Sequence, residues 1–242
     1  MKKFLVFAVI VCTAVGLARA DVYIKSNSHS DAMSMMGQNQ PARDTVTEQW
    51  MSDDAFATIT PDTTILLDFK KNTFVMINHA KKTYVETTLP LDMAKLMPPQ
   101  AAQYIAMMKP TVSVTATGQS KTVGNWPCTG YEATITMMGM PMKETIWATK
   151  DTGVNMQRYM DQAFGAILKS TMFFDDAAVA EFKKIQGFPI STEMNMEIMG
   201  AKMHTSTEVV EITEKAPPAG TYAIPAGYTR TETLSMEDLQ KR

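Results

Sequence analysis

The stretch Lys121–Thr152, KTVGNWPCTGYEATITMMGMPMKETIWATKDT, does most to restrict what this chain can fold into. From Tyr131 the residues alternate: Tyr131, Ala133, Ile135 and Met137 point one way, and Glu132, Thr134 and Thr136 the other. That is the period of a half-buried β-strand. Gly139 and Pro141 break the run, and Met142–Thr149 can return antiparallel, with Ile146 and Trp147 supplying bulk. The result is a β-hairpin with a methionine-rich tip.

Segments of the same character fill much of the remaining chain. Val22–Ser28 reads as a first strand and Ser30–Ala42 as a loop containing Met33, Met35, Met36 and Gly37. Thr45–Met51, Phe56–Thr60 and Thr64–Phe69 follow, rich in threonine, valine and isoleucine and split by Ser52-Asp53-Asp54 and Pro61-Asp62. Thr73–Asn78 and Thr83–Leu89 form a plain hairpin about His79–Lys82. Thr111–Thr117 is a further strand. Near the end, Glu193, Asn195 and Glu197 alternate with Met194, Met196 and Ile198, Gly200 turns the chain, and Met203–Ile212 runs back. Short segments and tight turns predict an antiparallel meander.

Two helical regions interrupt the strands. Pro90–Met97 can make a turn or two before Pro98-Pro99; Ala101, Tyr104, Ile105 and Met108 then fall at helical spacing before Pro110. Asn155–Thr171 carries Met156, Met160, Phe164, Ile167 and Leu168 on one broad stripe. Asp175 or Asp176 can cap a helix over Ala177–Gln186, which Gly187 ends. Ser235-Met236-Glu237-Asp238 has the pattern of a capped terminal helix. The predicted fold class is therefore α+β, mainly β: a curved antiparallel meander, or half-barrel, wrapped around a few helices.

The first twenty residues read as a signal peptide, with Lys2 and Lys3 before an apolar Phe4–Leu17 and a small-x-small Ala18-Arg19-Ala20. The apolar run is shorter than the roughly 20 residues a bilayer requires. Export to the periplasm, cleavage after Ala20 and a single mature domain over residues 21–242 are expected. Removing 20 of the 242 residues leaves 222, the basic residues fall from 23 to 20 against 25 acidic, and the formal charge moves from −2 to −5. Such a balance provides no basic field for nucleic acid. Cys128 also loses its only sequence partner, Cys12. It is then either a reactive or intermolecular thiol, or a small buried hydrophobe between Trp126-Pro127 and Tyr131, the commoner role of cysteine.

The hairpin around Leu67-Asp68 and Thr83-Tyr84, the run Gly124 through Cys128 to Tyr131, Ile146-Trp147 and the late Ile224-Pro225-Ala226-Gly227-Tyr228 carry a likeness. On these residues the chain resembles the exported bacterial proteins grouped as domain-of-unknown-function 4412. That group is similar in architecture to LolA, the periplasmic lipoprotein carrier, and to related lipid-handling half-barrels. The resemblance implies a curved antiparallel sheet around helices over nearly the whole mature chain. It brings no established activity with it, and lipid transfer reaches this chain only as analogy of fold.

No histidine among His29, His79 and His204 stands in a zinc or nucleophile motif, and there is no Gly-x-Ser-x-Gly or phosphate-cradling glycine loop. Asp53-Asp54 and Asp175-Asp176 read as turn and cap residues. The chain is accordingly expected not to be an enzyme and to need no cofactor. Methionine, 22 residues, is what stands out, clustered at Met33, Met35 and Met36, at Met137, Met138, Met140 and Met142, and at Met194, Met196, Met199 and Met203. Flexible thioethers can fill irregular gaps in a core, or line a concave site that repacks around acyl chains. They can also hold Cu(I), with His29-x-x-x-Met33-x-Met35 or Met203-His204 as mixed ligands.

The expected function is binding of a hydrophobic molecule, a lipid or a lipoprotein acyl chain, between curved sheet and helices. Met137, Met140, Met142, Met194, Met196, Trp147, Ile105 and Phe164 are the candidate lining. The alternatives are a periplasmic Cu(I)-binding protein and a structural module whose apolar tips dock on an envelope protein.

Overall fold

The structure, a computed structural model, describes residues 20–35, 38–98, 110–137, 139–198 and 201–235. The expected signal peptide, the helical segment containing Ile105, and Met236 onwards lie outside them.

One open, curved sheet of twelve strands dominates. In chain order the strands are β1 (Asp21–Ser30), β2 (Met33–Met35), β3 (Gln38–Gln40), β4 (Arg43–Met51), β5 (Ala55–Ile59), β6 (Thr63–Asp68), β7 (Thr73–Asn78), β8 (Thr83–Thr88), β9 (Thr111–Val123), β10 (Trp126–Met137), β11 (Met140–Thr149), β12 (Phe188–Ile198), β13 (Ala201–Lys215) and β14 (Thr229–Arg230). The large sheet runs β14-β8-β7-β6-β5-β4-β1-β13-β12-β11-β10-β9, and β2 and β3 form a separate hairpin. Every pairing is antiparallel except β14 with β8. Two meanders, β4 to β8 and β9 to β13, are thus welded along β1 and β13, where Asp21 pairs with Lys215 and Ser30 with Thr205.

The expected Ser30–Ala42 loop carries the β2–β3 hairpin instead. Strand β9 runs six residues past the expected end at Thr117, and β10 starts at Trp126, five residues before Tyr131. Consecutive hairpins reuse one turn device: the Lys71 amide donates to the Asp68 carboxylate at 2.8 Å, and the Lys81 amide to the Asn78 side chain at 2.9 Å. Asn72 and Lys82 take positive φ in the corresponding positions.

The two halves of the sheet are covered differently. Strands β6 and β7 are apolar on both faces, Ile65, Leu67, Phe74 and Met76 facing one core and Leu66, Val75 and Ile77 another. The second core, on the outer face, also holds Tyr23 and Trp50 and is roofed by Tyr222, Ile224 and Tyr228 from the C-terminal segment. The Tyr222 hydroxyl donates to the Asp21 carboxylate at 2.7 Å, and the Tyr228 hydroxyl lies 3.0 Å from His79 Nδ1. This is the structural role of the Ile-Pro-Ala-Gly-Tyr run. On β9 the outer positions are exposed.

The helices sit on the concave face, in the connection from β11 to β12. A π-turn over Tyr159–Ala163 leads into α1 (Phe164–Met172), and α2 (Asp176–Phe182) follows. Helix starts after Asn155 because that side chain caps it, accepting from the Gln157 amide at 2.9 Å. The Asp175 carboxylate caps α2 by accepting from the Ala178 amide at 2.9 Å. Phe173 adopts φ +56° between the helices, while Phe174 stacks on Phe182 at 5.4 Å. Gly187, at φ +106°, passes so close to β11 that a Cβ there would stand 2.2 Å from the Thr149 carbonyl oxygen. Before Pro98 only one 3-10 turn forms, Met93–Leu96, capped by Asp92. Among the described residues no helix is long and apolar enough to cross a membrane.

Candidate functional site

The strand order makes β4, β1, β13, β12 and β11 consecutive neighbours beneath the helices. Between them lies a cavity of about 230 Å³. Its helical wall is apolar except for the Tyr159 hydroxyl: Phe164, Leu168, Met172, Phe174, Phe182 and Ile185 supply the rest. Its sheet wall mixes Ile24, Ile146, Ile190 and Val209 with a polar stripe, Gln49, Ser26, Thr207, Thr192 and Glu144, one residue from each of the five strands. Alternation on each strand turns these residues to the concave side, and the register sets Thr192 opposite Thr207.

Glu144 is the one formally charged side chain in the lining. Met142 and Ile146 flank it on its own strand, and Ala133 and Met194 face it across the neighbouring strands. Burial in these surroundings pushes its carboxyl up to about 7, opposed only by a hydrogen bond with Thr192. Tyr159, the buried first residue of the π-turn, packs edge-on to Phe56 at 5.6 Å and to Phe188 at 5.1 Å. Burial raises its phenol to about 12, against a hydrogen bond with Gln49. Both ends of the stripe therefore hold a polar group in an apolar setting.

Of the expected lining, Phe164 borders the cavity. Met137, Met140, Met142, Met194 and Met196 share the concave face, as register requires: Met137 pairs with Met140, Met142 with Ile135, and Met194 with Glu144. They lie towards the hairpin ends. Met142 and Met194 pack against the main core, whereas Met140 is 40% exposed; none of the five lines the cavity. Trp147, one residue from Ile146, belongs to the opposite face of β11 and crosses Gly130, where a Cβ would approach its ring to 3.0 Å. Lys121 caps that ring at 4.3 Å from its centroid. Ile105 lies outside the described residues.

Sequence reading passed over Glu144, although its parity with Met142 and Ile146 marks it as an acid on an apolar strand face. It also passed over Gln49, Ser26 and Thr207, whose convergence depends on the β1–β13 pairing. Among the metal candidates, Met203 pairs with Met196 and His204 with Asn195, so alternation places Met203 and His204 on opposite faces and they cannot share one ion. His29 on the outer side is held by Asp44 at 2.6 Å and Asp31 at 3.3 Å. The aspartates read as turn and cap residues act so: Asp53 in its turn pairs with Arg158 at 2.7 Å, and Asp175 caps α2. Cys128 is buried, which raises its thiol above the ordinary range.

No curated protein matches the chain by sequence. A family match covers residues 21–228, from the first residue of β1 through the tyrosine that roofs the outer core. The chain belongs to the family described as Domain of unknown function (DUF4412).

Proposed function

We propose that this chain is a non-enzymatic binding protein for one apolar chain, held between the curved sheet and α1 and α2, and that it works in the periplasm after export. The cavity carries this reading. Its volume of about 230 Å³ is just below the roughly 300–1,000 Å³ of small-molecule sites. That size suits a single acyl or alkyl chain better than the several chains of a lipoprotein anchor. A mostly apolar helical wall facing a sheet wall with a polar stripe is the composition of a site that takes the body of a ligand by burial and its head by hydrogen bonds. The amino-terminal Lys2-Lys3, apolar run and Ala18-Arg19-Ala20 support the compartment.

The test is native mass spectrometry of the protein exported with its own signal and purified without detergent. A single-chain amphiphile released on activation, and reduced in Leu168→Trp, whose indole would occupy the cavity, supports the reading. Bare protein that also fails to take up added decanol counts against it. The exposed Met140 favours a second reading, docking of the hairpin tip on an envelope protein. A pull-down lost in Met140→Ser from a protein with no small ligand would support that instead.

A further inference from the structure

The head group that this cavity suits follows from its polar stripe. Five neighbouring strands deliver Gln49, Ser26, Thr207, Thr192 and Glu144 to one wall, and no lysine, arginine or histidine lines the cavity. The charged neighbours on the same strands turn away. Lys143 lies on the outer face, where it pairs with Glu132 at 3.2 Å, and Glu193 borders the outer groove with His204. The side chain that meets Glu144 is Thr192, with which it hydrogen-bonds; Thr207, Ser26 and Gln49 follow along the wall, the last hydrogen-bonded with Tyr159. The lining therefore holds an acid with no countercharge, at one end of a row of hydroxyl and amide oxygens that accept hydrogen bonds. A carboxylate or phosphate head would bring a second negative charge into this low-dielectric space without a cation to hold it. An ammonium head would supply the missing charge and three donors for the surrounding oxygens.

We propose that the cavity selects single-chain amphiphiles with a cationic amine head and excludes acids of the same chain length, with Glu144 as the countercharge. The inference rests on the binding reading above and narrows it. Burial that leaves the Glu144 carboxyl near 7 fits the same picture, because a bound ammonium would draw it back towards the usual carboxylate range.

The experiment is isothermal titration of the delipidated full mature chain at pH 8 with decylamine, decanol and decanoate below their aggregation concentrations. Decylamine is expected to bind at one per chain and at least tenfold more tightly than decanol, and decanoate more weakly than decanol. Glu144→Gln, nearly isosteric, is expected to bring decylamine within about twofold of decanol. Amine binding no tighter than decanol, or a preference that survives in Glu144→Gln, overturns the proposal but leaves the binding reading standing. Failure of all three probes to bind overturns both.

Discussion

Glu144→Gln should stabilise the unliganded protein at alkaline pH and leave it nearly unchanged in acid. The native fold raises this carboxyl from 4.5 to about 7. An acid raised on folding favours the native state while it is protonated in both states. That contribution falls away as pH rises from about 4.5, where the unfolded chain ionises, through about 7, where the folded one does. At roughly 1.4 kcal/mol per decade of acidity, the full cost above pH 7 is about 3 kcal/mol. The side chain keeps some solvent contact, which reduces the figure to about 2 kcal/mol. Glutamine keeps the shape and a hydrogen bond with Thr192 and carries no charge. At about 2–4 °C per kcal/mol for a chain of this size, Tm should rise by about 4–8 °C at pH 8 and by under about 1 °C at pH 4.5. Far-UV circular dichroism melts of both proteins at both pH values read this directly. Carboxylates lowered by their partners, such as Asp68 beside Lys71 and Asp176 beside Lys169, slope the other way but are common to both proteins and cancel in the difference. An equal change at the two pH values, or a loss at pH 8, would refute the reasoning.

Gly187→Ala should cost about 2–4 kcal/mol, since the new Cβ meets the Thr149 carbonyl oxygen at φ +106°; urea unfolding measures it, and a loss below 1 kcal/mol would contradict the geometry. Asp175→Ala removes the α2 cap and should cost about 1 kcal/mol, with Asp175→Asn recovering most of it. Cys128, buried beside the Trp126 carbonyl oxygen at 3.5 Å, should resist a thiol reagent in the native state and react at once in urea; fast native labelling would show it accessible.

Local patterns carried over well from sequence to structure. Thr73–Asn78 is a strand with the expected ends because four apolar residues stand between polar turn signals. The parity of Met137, Met142, Met194 and Met196 likewise placed them on one face. What failed to show in the sequence is long-range. Nothing periodic in Asp21–Ser30 announces that its neighbour is Ala201–Lys215, and without that pairing the polar stripe cannot be assembled from residues as distant as Gln49 and Thr192. The methionines were legible as a face but not as a place: on β11 to β13 the cavity is lined by Ile146, Ile190 and Val209, and Met137, Met140, Met142, Met194 and Met196 stand nearer the hairpin ends. Trp147 stands off the cavity for a smaller reason, since bulk at two successive strand positions divides between two faces.

The most direct test of the central claim is a two-dimensional carbon–proton spectrum of protein labelled at the methionine methyls, titrated with decanol. Met172 borders the cavity and Met140 is exposed at the hairpin end; Met172→Leu and Met140→Leu assign their signals. Binding between sheet and helices predicts that the Met172 methyl shifts and saturates at one ligand per chain while Met140 stays fixed. Movement of Met140 and Met142 with Met172 unchanged, or no movement of any methyl, would contradict it.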